Sequence, residues 1–459
     1  MPTIHGGKVL AQALSRAAVH HIFAVEDAPL HAALTATGFD ITALPSTKAV
    51  IGATAGQAQA TGTLSVGIIE DTDDSMRDIA QSLSAPMLHL FSGSGIERTD
   101  QIPEVMARAV RRATSGVMGP VFVEVSATLE TSRVEADHLV WPGSGRLTLA
   151  PAGAPEQIEI AAGVMSVAQQ PVVMVGAQWR TSPRRDALDD LLDAYDLPCF
   201  GPGGRGRRRF ALSRGRALAQ ADVVVLFGAN IGADEILAED AYVIQVDRDP
   251  EVIGLPHSVD QGFHADVGVV MGQLAEAGQR RDDGWLMQLR ALEDAARERI
   301  RSPFHSAVAA GLPRDVILIN DLGADDLLEA MAPLRSGEQM LRTTAPGLAA
   351  GMAAGVMTVH RERPIVVAYS ADRFHWDADV FQHCMRAGMR LVAVIRGSGD
   401  RKRGQRWVEA VGDCGILVED PIELPPVMRS VLARASGGLI YVNIDSRAGL
   451  TVPVNNGSG

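Results

Sequence analysis

Several residue groups in this chain have the types and spacing to do chemistry. One is a carboxylate run, Glu70-Asp71-Thr72-Asp73-Asp74. Facing inward, such carboxylates hold a cation or an amine. On the surface they make a solvated loop, with Asp73 or Asp74 capping the start of a helix. Another is the basic run GPGGRGRRRFALSRGR, which places Arg205, Arg207, Arg208, Arg209, Arg214 and Arg216 in an acidic chain. Guanidinium groups grip phosphate bidentately, so the run reads either as a solvated loop or as a site for a nucleotide or coenzyme A phosphate. Near the C-terminus Asp372 and Arg373 stand among Tyr369, His375 and Trp376, which either line a pocket or pack in a core; Arg396, Arg401, Lys402 and Arg403 follow. His5, His20 and His21 read as surface or partly buried residues rather than metal ligands. Cys384, within HCMRAG, reads as core, because no partner that would activate a thiol is in view.

The elements that must position these groups alternate. A helix over 6–20 precedes a short strand at His21–Val25. A helix near Leu30–Thr35 comes before a small-residue helix over 48–61, where Gly52 and Gly56 leave room for a close neighbour. Strands at 64–69, 87–91 and 121–125 enclose a helix over 73–84. Residues 126–156 are rich in Pro and Gly and read as a linker. A second alternating unit has strands at 171–176, 197–200, 222–228 and 242–247. Residues 277–313 are charged, helix-prone and read as a connection. A third unit carries strands at 316–320, 364–370, 390–395, 415–419 and 438–444. Alternation of this kind predicts α/β architecture with three doubly wound parallel-sheet domains. The expected boundaries are 1–130, a linker at 131–156, a central domain at 157–276, a connection at 277–313 and a last domain at 314–452.

Composition narrows the function classes. A chain of 459 residues is too long for one core. Its net charge of −13 repels nucleic acid and anionic membranes. The three cysteines are scattered, which argues against a disulfide framework or a zinc site and for a reducing cytoplasm. No signal peptide is visible, and no apolar run is long enough to span a bilayer.

The order and spacing of several segments carry a resemblance. GGKVLAQALSRAAVHHIFAV, KAVIGATAGQAQATG, SAPMLHLFSG and SGVMGPVFVEV stand in the first unit; AQQPVVMVGAQ, ALAQADVVVLFGANI and YVIQVDRDPEVIG in the second; APGLAAGMAAGV in the third. Together they resemble the acetolactate synthase-like large subunits of the thiamine-diphosphate-dependent enzyme superfamily. That family has a pyrimidine-binding domain, a central domain and a diphosphate-binding domain, and the resemblance spans nearly the whole chain.

The resemblance implies a cofactor site, and the motif positions here are altered. Counting back from Thr61-Gly62 places Thr47 where the family uses a glutamate against the pyrimidine ring. A threonine hydroxyl donates a hydrogen bond but does not serve as a carboxylate base. The family's Gly-Pro-Gly and Ser-Gly-Pro-Gly turns correspond to Val25–Pro29 and to the carboxylate run. Its Gly-Asp-Gly falls in Ser370-Ala371-Asp372-Arg373, where one alignment puts Asp372 at the metal aspartate and the other, anchored on Pro364, puts Ala371 there; its Asn-Asn becomes Arg396-Gly397-Ser398-Gly399-Asp400. These departures lead to an expectation of no cofactor and no metal, with thiamine diphosphate and Mg²⁺ as the alternative. The expected function is a repurposed lyase or transferase acting on a small anion, a 2-oxo acid or a phosphorylated metabolite. Thr47 and Asp372 are its candidate catalytic residues, and Arg373, Arg396, Ser398 and Arg205 would bind the anion. A non-catalytic subunit or scaffold is one alternative; a carboligase or decarboxylase with atypical thiamine diphosphate contacts is the other. The resemblance further implies a homodimer or homotetramer.

Overall fold

The computed structural model describes residues 3–130, 132–143, 150–201, 208–281, 284–300, 302–323, 327–397 and 399–444. The strands, in chain order, begin with β1 (Thr3–His5). The first large sheet uses β2 (His21–Val25), β3 (Asp40–Leu44), β4 (Ser65–Ile68), β5 (Met87–Gly93) and β6 (Pro120–Ser126) in the order β3-β2-β4-β5-β6. All its pairings are parallel. β7 (Arg133–Glu135) returns to pair antiparallel with β1, inside the stretch that reads as linker.

The central sheet contains β8 (Pro171–Val175), β9 (Cys199–Phe200), β10 (Arg209–Phe210), β11 (Val223–Phe227), β12 (Tyr242–Asp247) and β13 (Gln261–His264), in the order β10-β9-β8-β11-β12-β13. All its pairings are parallel, and the order in which the chain adds strands reverses between β8 and β11. The period of two sorts the side chains into two cores. Val173, Val175, Val225, Phe227, Ile244 and Val246 face one, whereas Val172, Met174, Val224, Leu226 and Val243 face the other. The third sheet contains β14 (Ile317–Asp321), β15 (Met340–Arg342), β16 (Ile365–Ser370), β17 (Leu391–Arg396), β18 (Gly415–Val418) and β19 (Gly438–Val442), in the order β15-β14-β16-β17-β19-β18. Three α/β sheets with parallel strands agree with the predicted fold class.

The chain packs as two compact units. One comprises Met1–Leu149, Leu341–Val367 and Asp372–Leu391; the other comprises Ala150–Met340, Ala368–Ala371 and Val392–Gly459. The first unit therefore recruits the Ala349–Val359 helix, from far along the sequence, onto the Thr47–Thr61 helix. The glycines on both helices explain how. A Cβ on Gly52 or Gly56 would lie 2.5 or 2.2 Å from the carbonyl oxygens of Leu348 and Met352. Reciprocally, a Cβ on Gly351 or Gly355 would lie 2.4 or 2.0 Å from those of Ala49 and Ala53. The seam is backbone against backbone.

In the second unit, the stretch that reads as a connection is folded. Trp285 and Leu289, on the Trp285–Arg299 helix, enter the core beside β8 and β11. Buried Glu293 accepts the backbone N–H groups of Ala211, Leu212 and Ser213. Asp294, Arg297, Glu298 and Arg299, among the charged residues that read as a connection, form the outer face of this helix.

Candidate active site

The Thr47–Thr61 helix starts just past the carboxyl end of β3. Ser46 is its N-cap and accepts the Ala49 N–H at 3.2 Å; Gly62, at φ 70°, closes its other end. Parallel α/β sheets bind ligands beyond the carboxyl ends of their strands, so the first turn of this helix faces the functional edge. Thr47 opens that turn. Its Oγ1 is buried and has no hydrogen-bond partner among the described residues. A buried hydroxyl without a partner carries an uncompensated desolvation cost.

One loop, between β15 and the Ala349–Val359 helix, gathers the neighbours of this turn. Thr343 accepts from Arg373 Nη2 at 3.2 Å, and Thr344 accepts from Ser82 Oγ at 2.7 Å. Gly347 has φ 84°, which favours glycine. A Cβ there would lie 3.0 Å from the Trp376 carbonyl oxygen and 3.3 Å from Lys48 Nζ. Asp377, fully buried, accepts the Ala350 N–H at 2.6 Å and fixes the start of the glycine-rich helix. Trp376 itself is 67% exposed. Lys48, Arg373 and Trp376 thus lie about the loop within one unit, with Thr47 next to Lys48 in sequence.

Behind this turn the same helix rests on a buried pair that sequence reading overlooked. Thr54 Oγ1 donates to the Val50 and Ile51 carbonyls, so toward His89 Nε2, 3.0 Å away, it acts as acceptor. His89 therefore carries its proton on Nε2. Its Nδ1 has no partner among the described residues, and burial pushes its pKa down to about 3. In the sequence His89 sits inside the apolar run MLHLF and reads as core.

The remaining candidates are placed as follows. Asp372 is exposed on the short Ala371–Phe374 helix after β16, beside half-buried Arg373. Arg396 ends β17 in the second unit, in register with Val442. Ser398 and Arg205 lie outside the described residues. Asp400 caps the Arg401–Ala410 helix, accepting the Arg403 N–H at 3.0 Å. Arg208, Arg209 and Arg214 of the basic run serve structure, and Arg216 is exposed. Arg208 pairs with Asp193 and Asp196, Arg209 donates to the Glu329 carbonyl at 2.6 Å, and Arg214 pairs with Glu235. Burial lowers the Arg209 pKa.

The carboxylate run is solvated, and Asp73 caps the Asp74–Ser82 helix through the Met76 N–H at 2.8 Å. His21 is held by Thr42 and Asp40, and burial lowers its pKa against the opposing pull of Asp40. Burial pushes the Cys384 thiol up to about 12, which leaves it inert as a nucleophile. No helix among the described residues is long and apolar enough to cross a membrane.

No family model matches the chain. Curated proteins do. A "Probable acetolactate synthase" of Mycobacterium bovis is 24% identical over 538 aligned positions, covering 96% of this chain and 96% of its own length. The acetolactate synthase isozyme 1 large subunit of Escherichia coli is 27% identical across 60% of this chain and 54% of its own. The 2-hydroxyacyl-CoA lyase of Arabidopsis thaliana is 24% identical across 76% of this chain and 73% of its own.

These relatives correct the expectation of no cofactor. Acetolactate synthases and 2-hydroxyacyl-CoA lyases are thiamine-diphosphate-dependent families, and they point to that cofactor rather than to none. The altered motifs point the other way only if each substitution is a lost contact. At the pyrimidine end the chain fits the cofactor: the buried, unanswered Thr47 hydroxyl stands at the position of the family's ring contact. At the metal-clamp end the donor set is different, since Arg396-Gly397-Ser398-Gly399-Asp400 offers no asparagine pair. The chain is thus similar, at 24–27% identity, to acetolactate synthase large subunits and 2-hydroxyacyl-CoA lyases, both of the thiamine-diphosphate-dependent superfamily.

Proposed function

We propose that this chain is a thiamine-diphosphate-dependent carboligase or carbon–carbon lyase that takes a small anionic substrate of the 2-oxo acid type and works as a homodimer or homotetramer. The observation that carries this reading is an alignment covering 96% of both chains with a relative named for acetolactate synthesis. The buried Thr47 hydroxyl at the carboxyl edge of the first sheet supports it. When bound, the cofactor supplies a centre that stabilises a carbanion.

The chain's own residues bind, orient and exclude water. Thr47 Oγ1 offers a donor from the first turn of the Thr47–Thr61 helix. Arg373 turns a planar guanidinium toward the 343–348 loop, where a carboxylate would be gripped bidentately. Arg396 is a second candidate for anion binding, and Asp372 for proton transfer. Asp377 holds the Ala349–Val359 helix in place.

Thermal unfolding with and without thiamine diphosphate and Mg²⁺ tests the reading. A ligand at a hundred times its dissociation constant adds roughly 2.7 kcal/mol of stability, a clear rise in Tm. An unchanged Tm at millimolar cofactor would remove the proposal's basis.

A further inference from the structure

We infer that Thr47 is the chain's contact to the cofactor's aminopyrimidine ring, and that it works as a fixed hydrogen-bond donor to a ring nitrogen rather than as a proton carrier. The inference rests on the thiamine diphosphate reading above and adds to it the chemistry of one residue.

Thr47 Oγ1 is buried, and no described group of the protein accepts its proton. It stands in the first turn of a helix whose cap is already supplied by Ser46, so the hydroxyl is not needed there for capping. The contrast with Thr54, about two turns further along the same helix, is direct. Thr54 Oγ1 meets the Val50 and Ile51 carbonyls at 3.0 and 2.9 Å and is fully used within the fold. The acceptor that Thr47 lacks is assigned here to the ligand, because the hydroxyl opens a helix at the carboxyl edge of the sheet. A planar heteroaromatic nitrogen suits a single hydroxyl donor, because it offers one in-plane lone pair and no charge to neutralise. A carboxyl group in this position would gain and lose its proton near neutral pH when buried. A hydroxyl keeps its proton throughout that range. The contact made by Thr47 is therefore independent of pH, and any proton exchange at that nitrogen passes through a group other than Thr47.

The test compares binding of thiamine diphosphate with binding of its analogue in which the ring nitrogen is replaced by C–H. Both are titrated calorimetrically in the presence of Mg²⁺, on the full chain. Wild type is expected to bind the natural cofactor about tenfold more tightly than the analogue, the worth of one buried hydrogen bond. The ratio should stay constant from pH 5.5 to pH 8. Thr47→Val should bind the natural cofactor about tenfold more weakly and the two compounds equally. Thr47→Ser, which keeps the donor, should restore the preference, and it serves as the reporter if the valine variant does not fold. A wild-type ratio near one, with good binding of both compounds, overturns the assignment of Thr47 and leaves the functional proposal standing. A ratio that changes tenfold across that pH range overturns the fixed-donor role. Binding of neither compound overturns both.

Discussion

The carboxyl edges of the first and central sheets both lie where α/β proteins bind ligands, and they treat their polar groups in opposite ways. In the central sheet the reversal between β8 and β11 is the usual entrance for a nucleotide. Here the chain fills it. Gln178 donates to Asp247 at 2.8 Å and accepts the Arg248 N–H at 3.3 Å, while Asp247 also accepts the Asp249 N–H. Gly228, at φ 56°, passes so close that a Cβ there would lie 2.7 Å from Gln178 Cβ. Arg248 is buried against Asp266, with Ser182 on the same carboxylate. At the first sheet, Thr47 leaves a buried hydroxyl unanswered beside a loop bracketed by Lys48, Arg373 and Trp376. Along the central edge Gln178, Asp247, Arg248 and Asp266 answer one another and serve stability, and the buried Trp179 Nε1 beside them is the donor left without a partner among the described residues. At the first edge the unanswered donor is a small hydroxyl in the opening turn of a helix, placed where a ligand would approach it.

The largest expected effect tests the seam that brings the first edge together. Gly355→Ala puts a methyl 2.0 Å from the Ala53 carbonyl, and two backbones must part to admit it. We expect a loss of about 3 kcal/mol in denaturant unfolding. The same substitution at Gly163, on the Pro155–Val167 helix, meets nothing within 4 Å. There alanine should add about 0.5–1 kcal/mol through helix propensity. Equal effects at the two positions would break the distinction between a tight seam and an open helix surface.

Much of the fold was legible in the sequence, because fully buried parallel strands read as continuous apolar runs. PVVMV of β8 and VVVLF of β11 are examples. β3 escaped because DITAL mixes polar residues into a strand that is mostly half-buried. β13 escaped because its four residues, QGFH, bury a glutamine along with the phenylalanine. The site was less legible. Thr47 came from counting along a resemblance; nothing in its own neighbours marks it. The meeting of Thr343 with Arg373 and of Gly347 with Lys48 depends on packing between segments some thirty and three hundred residues apart, which no local pattern encodes. In the basic run, clustering suggested a phosphate site, whereas Arg208, Arg209 and Arg214 each have a partner within the protein.

An intermediate effect sharpens the comparison through pH. His89 braces the Thr47–Thr61 helix from behind, and its folded pKa of about 3 lies below the ordinary value of 6.5. The unfolded chain therefore takes up the proton first. Stability from the neutral imidazole is complete above pH 6.5 and falls as pH drops from there toward 3, by about 1.4 kcal/mol per pH unit once the unfolded state is protonated. Other groups titrate in the same window, so the quantity to read is the difference in slope between wild type and His89→Leu. An identical slope would mean that the imidazole finds an acceptor for Nδ1 in solution and that the helix is not braced by a neutral histidine.

The smallest effect carries the opposite sign. Replacing a hydrogen-bonded buried threonine by valine ordinarily destabilises a protein, because a partner is orphaned. Thr47 has no such partner among the described residues. In the ligand-free protein Thr47→Val removes a desolvated hydroxyl and orphans nothing. It should leave stability unchanged or raise it by up to about 1 kcal/mol in denaturant unfolding. At Thr54 the same exchange strips His89 Nε2 of its acceptor and should cost about 1–2 kcal/mol. A loss at position 47 as large as that at position 54 would mean that the protein satisfies Thr47 from within. A gain at 47 beside a loss at 54 would locate, on a single helix, the boundary between residues that hold the fold and a residue that waits for a ligand.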